Sequence, residues 1–219
     1  SISNDNVLGI LQELSQAAVS DSDHQDLSAT SPWGRRESVT PQDYRPVAGF
    51  FGPDRSLFGV YHPPRGPRRD LNVLLCAPLG YEAMQSYRAW RLLAARLAAG
   101  GFPVLRFDYH GTGESDGAFA DPGRVDAWLR SIDSAASALR EITGTRRLAM
   151  VGLRMGAVLA GARVAEVDPS HLVFWEPSLG GARYTKELEF AAAAARGNAS
   201  AATESAESDG VQSSGFHFT

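Results

Sequence analysis

The stretch that decides the fold is Met150-Val151-Gly152-Leu153-Arg154-Met155-Gly156-Ala157. The apolar residues 148–151 lead into it and predict a strand, and the small residues of 157–166 follow it and predict a helix. One glycine stands two places before Arg154 and another stands two places after it. Because glycine lacks the Cβ atom that would collide with neighbouring backbone, this spacing predicts a sharp turn between the strand and the helix.

The order of strand, sharp turn and helix is the architecture of a nucleophile elbow, whose central residue sits on a strained turn. Covalent catalysis from that position needs a hydroxyl or a thiol beside a general base. Here the position holds Arg154, whose guanidinium offers only N–H donors and stays protonated at every accessible pH. The sequence therefore predicts an elbow and excludes Arg154 as its nucleophile.

Strand and helix patterns alternate on both sides of the elbow. Aromatic and β-branched runs at 47–51 and 57–61, joined by Gly52-Pro53-Asp54-Arg55, predict a hairpin. Further patterns predict strands at 71–76, 103–107, 148–151 and 171–175, and helices at 86–99, 122–142 and 157–167. This alternation predicts an α/β fold with a mostly parallel sheet and an N-terminal antiparallel hairpin. Ligands of such sheets bind beyond the carboxyl ends of the strands, where the loops 77–81, 108–117, 152–156 and 176–181 meet.

Composition predicts three parts of the chain. Residues 1–46 combine a helix at 5–19 with a flexible linker rich in Ser, Asp, Thr and Pro. Residues 47–182 carry the α/β pattern of an incomplete core, and 183–219 begin a low-complexity excursion that turns apolar at 215–219, as a truncated element would. If the sheet ends at 171–175, an apolar strand lies at its edge. We expect self-association there, or pairing with a missing C-terminal half.

Composition and spacing also limit the partners. The chain is 43% hydrophobic and 21% charged, with a net charge of −4 and no basic stripe, so no nucleic-acid partner is expected. The sequence contains no run of about 18 apolar residues, so no membrane span is expected. The single cysteine, Cys76, excludes an internal disulfide and fits a reducing compartment, so the cytoplasm is the expected location. No spacing indicates a metal site, and Gly111-x-Gly113 lacks the dinucleotide pattern, so no cofactor is expected.

Four motifs follow one another along the chain: Cys76-Ala77-Pro78-Leu79-Gly80, Phe107-Asp108-Tyr109-His110-Gly111-Thr112-Gly113-Glu114-Ser115, Gly152-Leu153-Arg154-Met155-Gly156-Ala157, and Val173-Phe174-Trp175-Glu176-Pro177 with Tyr184 behind it. Through them, residues 47–190 resemble the N-terminal half of an α/β-hydrolase of the serine-aminopeptidase-like branch. Within that branch they are most similar to hydrolase-like proteins associated with exosortase systems and with biosynthetic clusters. The resemblance implies the N-terminal part of the α/β-hydrolase fold. By descent it implies hydrolysis of an ester, thioester or amide bond in a small-molecule, acyl or peptide substrate.

The resemblance also assigns roles to individual residues. Backbone N–H groups of Met155 and of Leu79 or Gly80 would form an oxyanion site, which binds anions. Asp108 and Ser115 would organise their own loop. The family's catalytic acid and histidine are expected beyond residue 219. With an arginine in place of the serine, the covalent route through the elbow is closed. Whether the protein is an enzyme by another route is an open question at this point.

Two hypotheses describe Arg154. In the first, its cation and the oxyanion N–H groups bind a carboxylate or phosphate, and the protein is an inactive pseudo-hydrolase that holds an anionic acyl or peptide group in a biosynthetic assembly. In the second, Arg154 is structural and pairs with an acidic neighbour such as Glu176 or Asp108.

Overall fold

The computed structural model describes residues 45–178, 184 and 186 with their side chains, and 211–213 and 216–218 as backbone. The predicted N-terminal helix at 5–19 lies outside the described residues, as do most of its linker and most of the segment 183–219. The three-part division of the chain therefore stays a prediction.

Strands and helices alternate after an N-terminal hairpin. The strands are β1 (Val47–Phe51), β2 (Leu57–His62), β3 (Asn72–Cys76), β4 (Val104–Phe107), β5 (Leu148–Leu153) and β6 (His171–Trp175). The helices are α1 (Gly80–Ala99), α2 (Arg124–Thr143), α3 (Met155–Ala162) and α4 (Val164–Val167). Two short strands, β7 (Val211–Ser213) and β8 (Phe216–Phe218), pair with each other in a separate antiparallel ribbon.

The main sheet has six strands in the order β1-β2-β4-β3-β5-β6. The pairs β1–β2 and β2–β4 are antiparallel, and β4–β3, β3–β5 and β5–β6 are parallel. The predicted α/β fold with its mostly parallel sheet and antiparallel hairpin is confirmed. Because β3, β4, β5 and β6 run in one direction, the loops that follow them meet at one edge of the sheet.

Helices cover both faces of the central strands, which is why β3 and β5 are buried along their whole length. Alternate residues of these strands face opposite sides. Leu74 and Met150 pack in the cluster that contains the α2 residues Ile132 and Leu139. The other face packs against α1, in a cluster of Val73, Leu75, Val151, Trp90, Leu93 and Leu97. The sheet thus forms a rigid platform below the loops at its carboxyl edge.

Two predicted helices have different bounds. Helix α1 begins at Gly80, six residues before the predicted start at 86, because its first turns carry exposed and polar residues that hide the apolar spacing. The helix predicted at 157–167 begins earlier, at Met155, and is divided into α3 and α4 at Arg163. The Arg163 side chain donates two hydrogen bonds to Asp133 of α2, of 2.9 and 2.6 Å, which ties the break to the neighbouring helix. None of the described helices combines the length and the apolar character needed to cross a bilayer.

Candidate active site

The elbow joins β5 to α3 through Arg154. This residue has φ 53° and ψ −119°, a backbone conformation that residues other than glycine rarely adopt. The turn is held by backbone hydrogen bonds on both sides: Arg154 N–H donates to Trp175 O at 3.1 Å, and Ala157 N–H donates to Arg154 O at 3.1 Å. The strained centre predicted from the sequence is therefore part of the structure.

The two glycines that flank the elbow sit where no side chain fits. A Cβ atom on Gly152 would lie 2.6 Å from the backbone nitrogen of Ala157. A Cβ atom on Gly156 would lie 2.8 Å from the carbonyl carbon of Ala77 and would overlap the carbonyl oxygens of Cys76 and Ala77. The start of α3 consequently packs directly against the chain that leaves β3.

The Arg154 side chain makes an ion pair with Glu82, the third residue of α1. Arg154 Nε donates to Glu82 Oε1 at 3.0 Å, and the two side chains are 21% and 27% exposed. Glu176 and Asp108 were the acidic partners expected from the sequence, whereas Glu82 lies 72 residues away along the chain. The second carboxylate oxygen, Glu82 Oε2, is buried and accepts no hydrogen bond within the described part of the chain.

The predicted oxyanion residues lie at the starts of two helices. Leu79 is the N-cap of α1 and Gly80 is its first residue, while Met155 is the first residue of α3. N–H groups in a first helical turn have no acceptor within the helix, and the helix dipole favours negative charge beside them. Since Gly156 packs against Ala77, the two helix starts lie side by side. The oxyanion role of these residues stays a prediction.

The loop after β4 is held by Asp108 and Ser115. Asp108 Oδ2 accepts the Glu114 N–H at 3.0 Å. Ser115 Oγ donates to Asp108 O at 2.7 Å and accepts the Phe58 N–H at 2.9 Å, which ties the loop to β2. Burial raises the pKa of Asp108, while the Glu114 N–H and the Arg106 guanidinium oppose that rise. These contacts suit residues that organise the loop.

A family profile decides the classification. The profile described as "Serine aminopeptidase, S33" matches residues 82–209, which is more than half of the 219 residues. The chain belongs to this serine aminopeptidase family.

Solved structures of low sequence identity share the fold. An α/β serine hydrolase without a lid from Xanthomonas campestris is 22% identical, with a TM-score of 0.51 and 61% of each chain covered. An esterase from Pyrococcus furiosus is 19% identical, with a TM-score of 0.56, and the match covers 82% of this chain and 66% of the esterase. The chain thus spans about three fifths to two thirds of the length of these neighbours. A comparison with curated proteins gives no significant match.

Ser178 is a polar residue beside the serine aminopeptidase-family elbow that sequence reasoning missed. Its N–H donates to Arg154 O at 3.4 Å. Its side chain is buried, and its hydroxyl has no hydrogen-bond partner among the described residues. The only signal in the sequence was its position in the loop 176–181, one of the four loops predicted to meet at this edge.

Two other side chains near this edge, Cys76 and His110, belong to reactive residue types, and their contacts give them structural roles. Cys76 is fully buried at the end of β3, and burial raises the pKa of its thiol to about 12, so the thiol is inert at neutral pH. His110, in the loop after β4, forms a contact of 3.2 Å between its Nε2 and Asp121 Oδ2. That carboxylate also accepts the Ala118 N–H at 2.7 Å, so the contact fastens the loop. The described residues contain no group of three His, Cys, Asp or Glu side chains that could hold a metal ion.

Proposed function

We propose that this serine aminopeptidase-family protein binds an anionic acyl or peptide group at its elbow and does not cleave it by a covalent serine route. One observation carries the proposal: Arg154 occupies the strained elbow position, beside the first turns of α1 and α3. A carboxylate there meets a guanidinium and helix N–H groups together, and charge-assisted hydrogen bonds of this kind are the strong ones.

The Arg154–Glu82 pair sets the orientation of the cation. Glu82 engages Nε, on one edge of the planar guanidinium. Both side chains are partly exposed, so water and a ligand carboxylate can reach the pair. Glu82 Oε2 is buried without a partner in the described residues, so it accepts an N–H group of a bound peptide only when the Glu82 side chain turns toward the ligand. A peptide or acyl-amide carboxylate suits both groups better than an inorganic anion does.

Hydrolysis by descent is the second candidate function, and the intact elbow and loop geometry favours it. Such an activity on an ester, thioester or amide bond needs a nucleophile other than Arg154. The resemblance of the chain's motifs to those of exosortase-associated and biosynthetic-cluster proteins is the ground for proposing work within a biosynthetic assembly, and the single cysteine is the ground for proposing the cytoplasm. The half-buried edge strand β6, with Phe174 51% exposed, is the surface we propose for self-association or for a further part of the domain.

Substitution of Arg154 by alanine separates the two functions. Isothermal titration calorimetry with N-acetylglycylglycine, whose only charge is its carboxylate, is expected to show saturable binding to the wild type and at least tenfold weaker binding to Arg154→Ala. The control variant Arg163→Ala removes an arginine just after the same helix and is expected to bind like the wild type. Turnover of p-nitrophenyl acetate and of an aminoacyl p-nitroanilide is expected to be absent in all three. Turnover that survives in Arg154→Ala would favour hydrolysis by another group. Unchanged binding in that variant would contradict the elbow as the anion site.

A further inference from the structure

A cavity of about 530 Å³ lies between β2, β4, α1 and the loop after β4, and Arg154 is not part of its wall. Side chains of β2 and of the chain from β4 into its loop form one wall of this cavity. Val60 of β2 is in register with Arg106 of β4, and Asp108 N–H donates to Phe58 O at 3.0 Å. Since side chains two residues apart on a strand share a face, these four side chains project from the same side of the sheet.

Helix α1 supplies the opposite wall through Met84 and Tyr87. Their side chains are 64% and 54% exposed, large fractions for residues of this type. With Phe58 and Val60 they give the cavity apolar sides, and a volume of this size is in the range, roughly 300–1,000 Å³, of sites for small organic ligands.

Arg106 is a cation in this apolar setting. Its Nε donates to Nε2 of His62 at 3.0 Å, and its guanidinium carbon lies 5.3 Å from the centre of the Tyr87 ring. His62 is buried, and burial together with the Arg106 charge lowers its pKa to about 4, so it is a neutral acceptor at neutral pH. These two contacts fix the plane of the guanidinium.

Arg106 has no salt-bridge partner among the residues that the structure describes. Asp108 is near enough for its pKa to be affected by the Arg106 charge, but its Oδ2 is engaged by the Glu114 N–H. The hydrogen bond to His62 uses only Nε, which leaves the four N–H groups on the two terminal nitrogens as donors toward the cavity. Asp108 offsets part of the Arg106 charge, and a ligand carboxylate on the terminal nitrogens adds charge-assisted hydrogen bonds that no described residue makes there.

We propose that this cavity is a binding site for an apolar monocarboxylate, such as a medium-chain fatty acid. The carboxylate binds the terminal nitrogens of Arg106, and the hydrocarbon chain lies against Phe58, Val60, Met84 and Tyr87. Asp108 and Glu114 also line the cavity, so a ligand with a second negative charge, or a phosphate, is disfavoured there. The cavity adjoins the elbow, since Leu79 and Gly80 line it, but Arg154 does not, and the site does not depend on the function proposed for Arg154.

The test is calorimetric titration of the full chain with sodium octanoate. The expected result is saturable binding to Arg154→Ala, whose elbow no longer presents a cation, and at least tenfold weaker binding to Arg154→Ala combined with Arg106→Gln. Octan-1-ol and octanedioate are expected to bind the wild type at least tenfold more weakly than octanoate. These two comparisons need no variant and hold even if Arg106→Gln does not fold.

A charge placed on the rim gives an independent check. Met84→Glu puts a carboxylate at the exposed edge of the cavity and is expected to weaken octanoate binding at least fivefold. Leu92→Glu is the matched control, because Leu92 is 47% exposed on the same helix but does not line the cavity. No saturable octanoate binding, equal affinity for octanol, or loss of binding in Arg154→Ala but not in Arg106→Gln would each overturn the proposal. The last result would show that the octanoate carboxylate binds at the elbow.

Discussion

Substitution of Gly156 by alanine tests whether the elbow is as tightly packed as the structure describes. The new Cβ atom would lie 2.8 Å from the carbonyl carbon of Ala77 and would overlap two carbonyl oxygens. These obstacles are backbone atoms at the end of a central strand, so they cannot rotate away as a side chain can. Overpacking of a well-packed core typically costs about 1–3 kcal/mol, and an immovable obstacle places this substitution near 3 kcal/mol. For a chain of this size that loss lowers Tm by about 6–12 °C.

Gly161→Ala is the matched control for Gly156→Ala. Gly161 lies on the same helix, and its added Cβ atom would approach only two ring carbons of Phe174, at 3.3 Å. That ring is half exposed and can shift. Alanine is favoured over glycine in a helix interior by about 1 kcal/mol, so Gly161→Ala is expected to leave the free energy of unfolding unchanged or to raise it by up to about 1 kcal/mol.

The assay is urea unfolding followed by circular dichroism, which gives the free energy of unfolding for the wild type and both variants. The expected order of stability is Gly161→Ala at or above the wild type, with Gly156→Ala well below it. If Gly156→Ala lies within about 0.5 kcal/mol of the wild type, the close contact between α3 and the chain after β3 is refuted, because no backbone clash of this size is silent.

Two further predictions concern His62 and Ser115, which form hydrogen bonds to the cavity-lining residues Arg106 and Phe58. The folded-state pKa of His62, about 4, lies below its ordinary value of 6.5. The unfolded chain therefore binds the proton first, and the stability that the neutral side chain provides, up to about 3 kcal/mol, is lost as the pH falls from 6.5 to 4. Urea unfolding at a series of pH values should show this slope, and His62→Gln should flatten it; an equal slope in both would contradict the assignment. Ser115→Ala leaves the Phe58 N–H without its acceptor and is expected to cost about 1–3 kcal/mol in the same unfolding assay. Ser137→Ala, on the exposed side of α2, should cost less than about 0.5 kcal/mol, and similar losses in both variants would argue against the role of the Ser115 hydroxyl.

Local patterns were sufficient to predict most of the fold. The hairpin strands, β3 and β6 lie within a residue of their predicted bounds, because each is an apolar or aromatic run bounded by turn residues. The start of α1 was missed because its first turns carry exposed and polar residues, which hide the apolar spacing of a helix. The break between α3 and α4 was missed, and the contact made at that point, between Arg163 and Asp133, joins two different helices.

The candidate site was predictable only in part. The two glycines indicate the elbow because their spacing about Arg154 is a local pattern, although Gly156 itself packs against the distant Ala77. Three contacts join residues that are between 24 and 72 positions apart: the Arg154–Glu82 pair, the hydrogen bond from Ser178 N–H to Arg154 O, and the Arg106–His62 contact. A single sequence contains no sign of such pairs, since they arise when β-α-β units bring separate loops to one edge of the sheet.

Intact-protein mass spectrometry after incubation with a fluorophosphonate tests the central claim, that the elbow of this serine aminopeptidase-family protein presents a cation and no nucleophile. The reagent forms a stable bond with an activated serine hydroxyl. With Arg154 at the elbow, we predict that the mass of the folded protein does not change. A stoichiometric adduct on a serine near the elbow, such as Ser178, would contradict the account and show that a nucleophile has been recruited from another position.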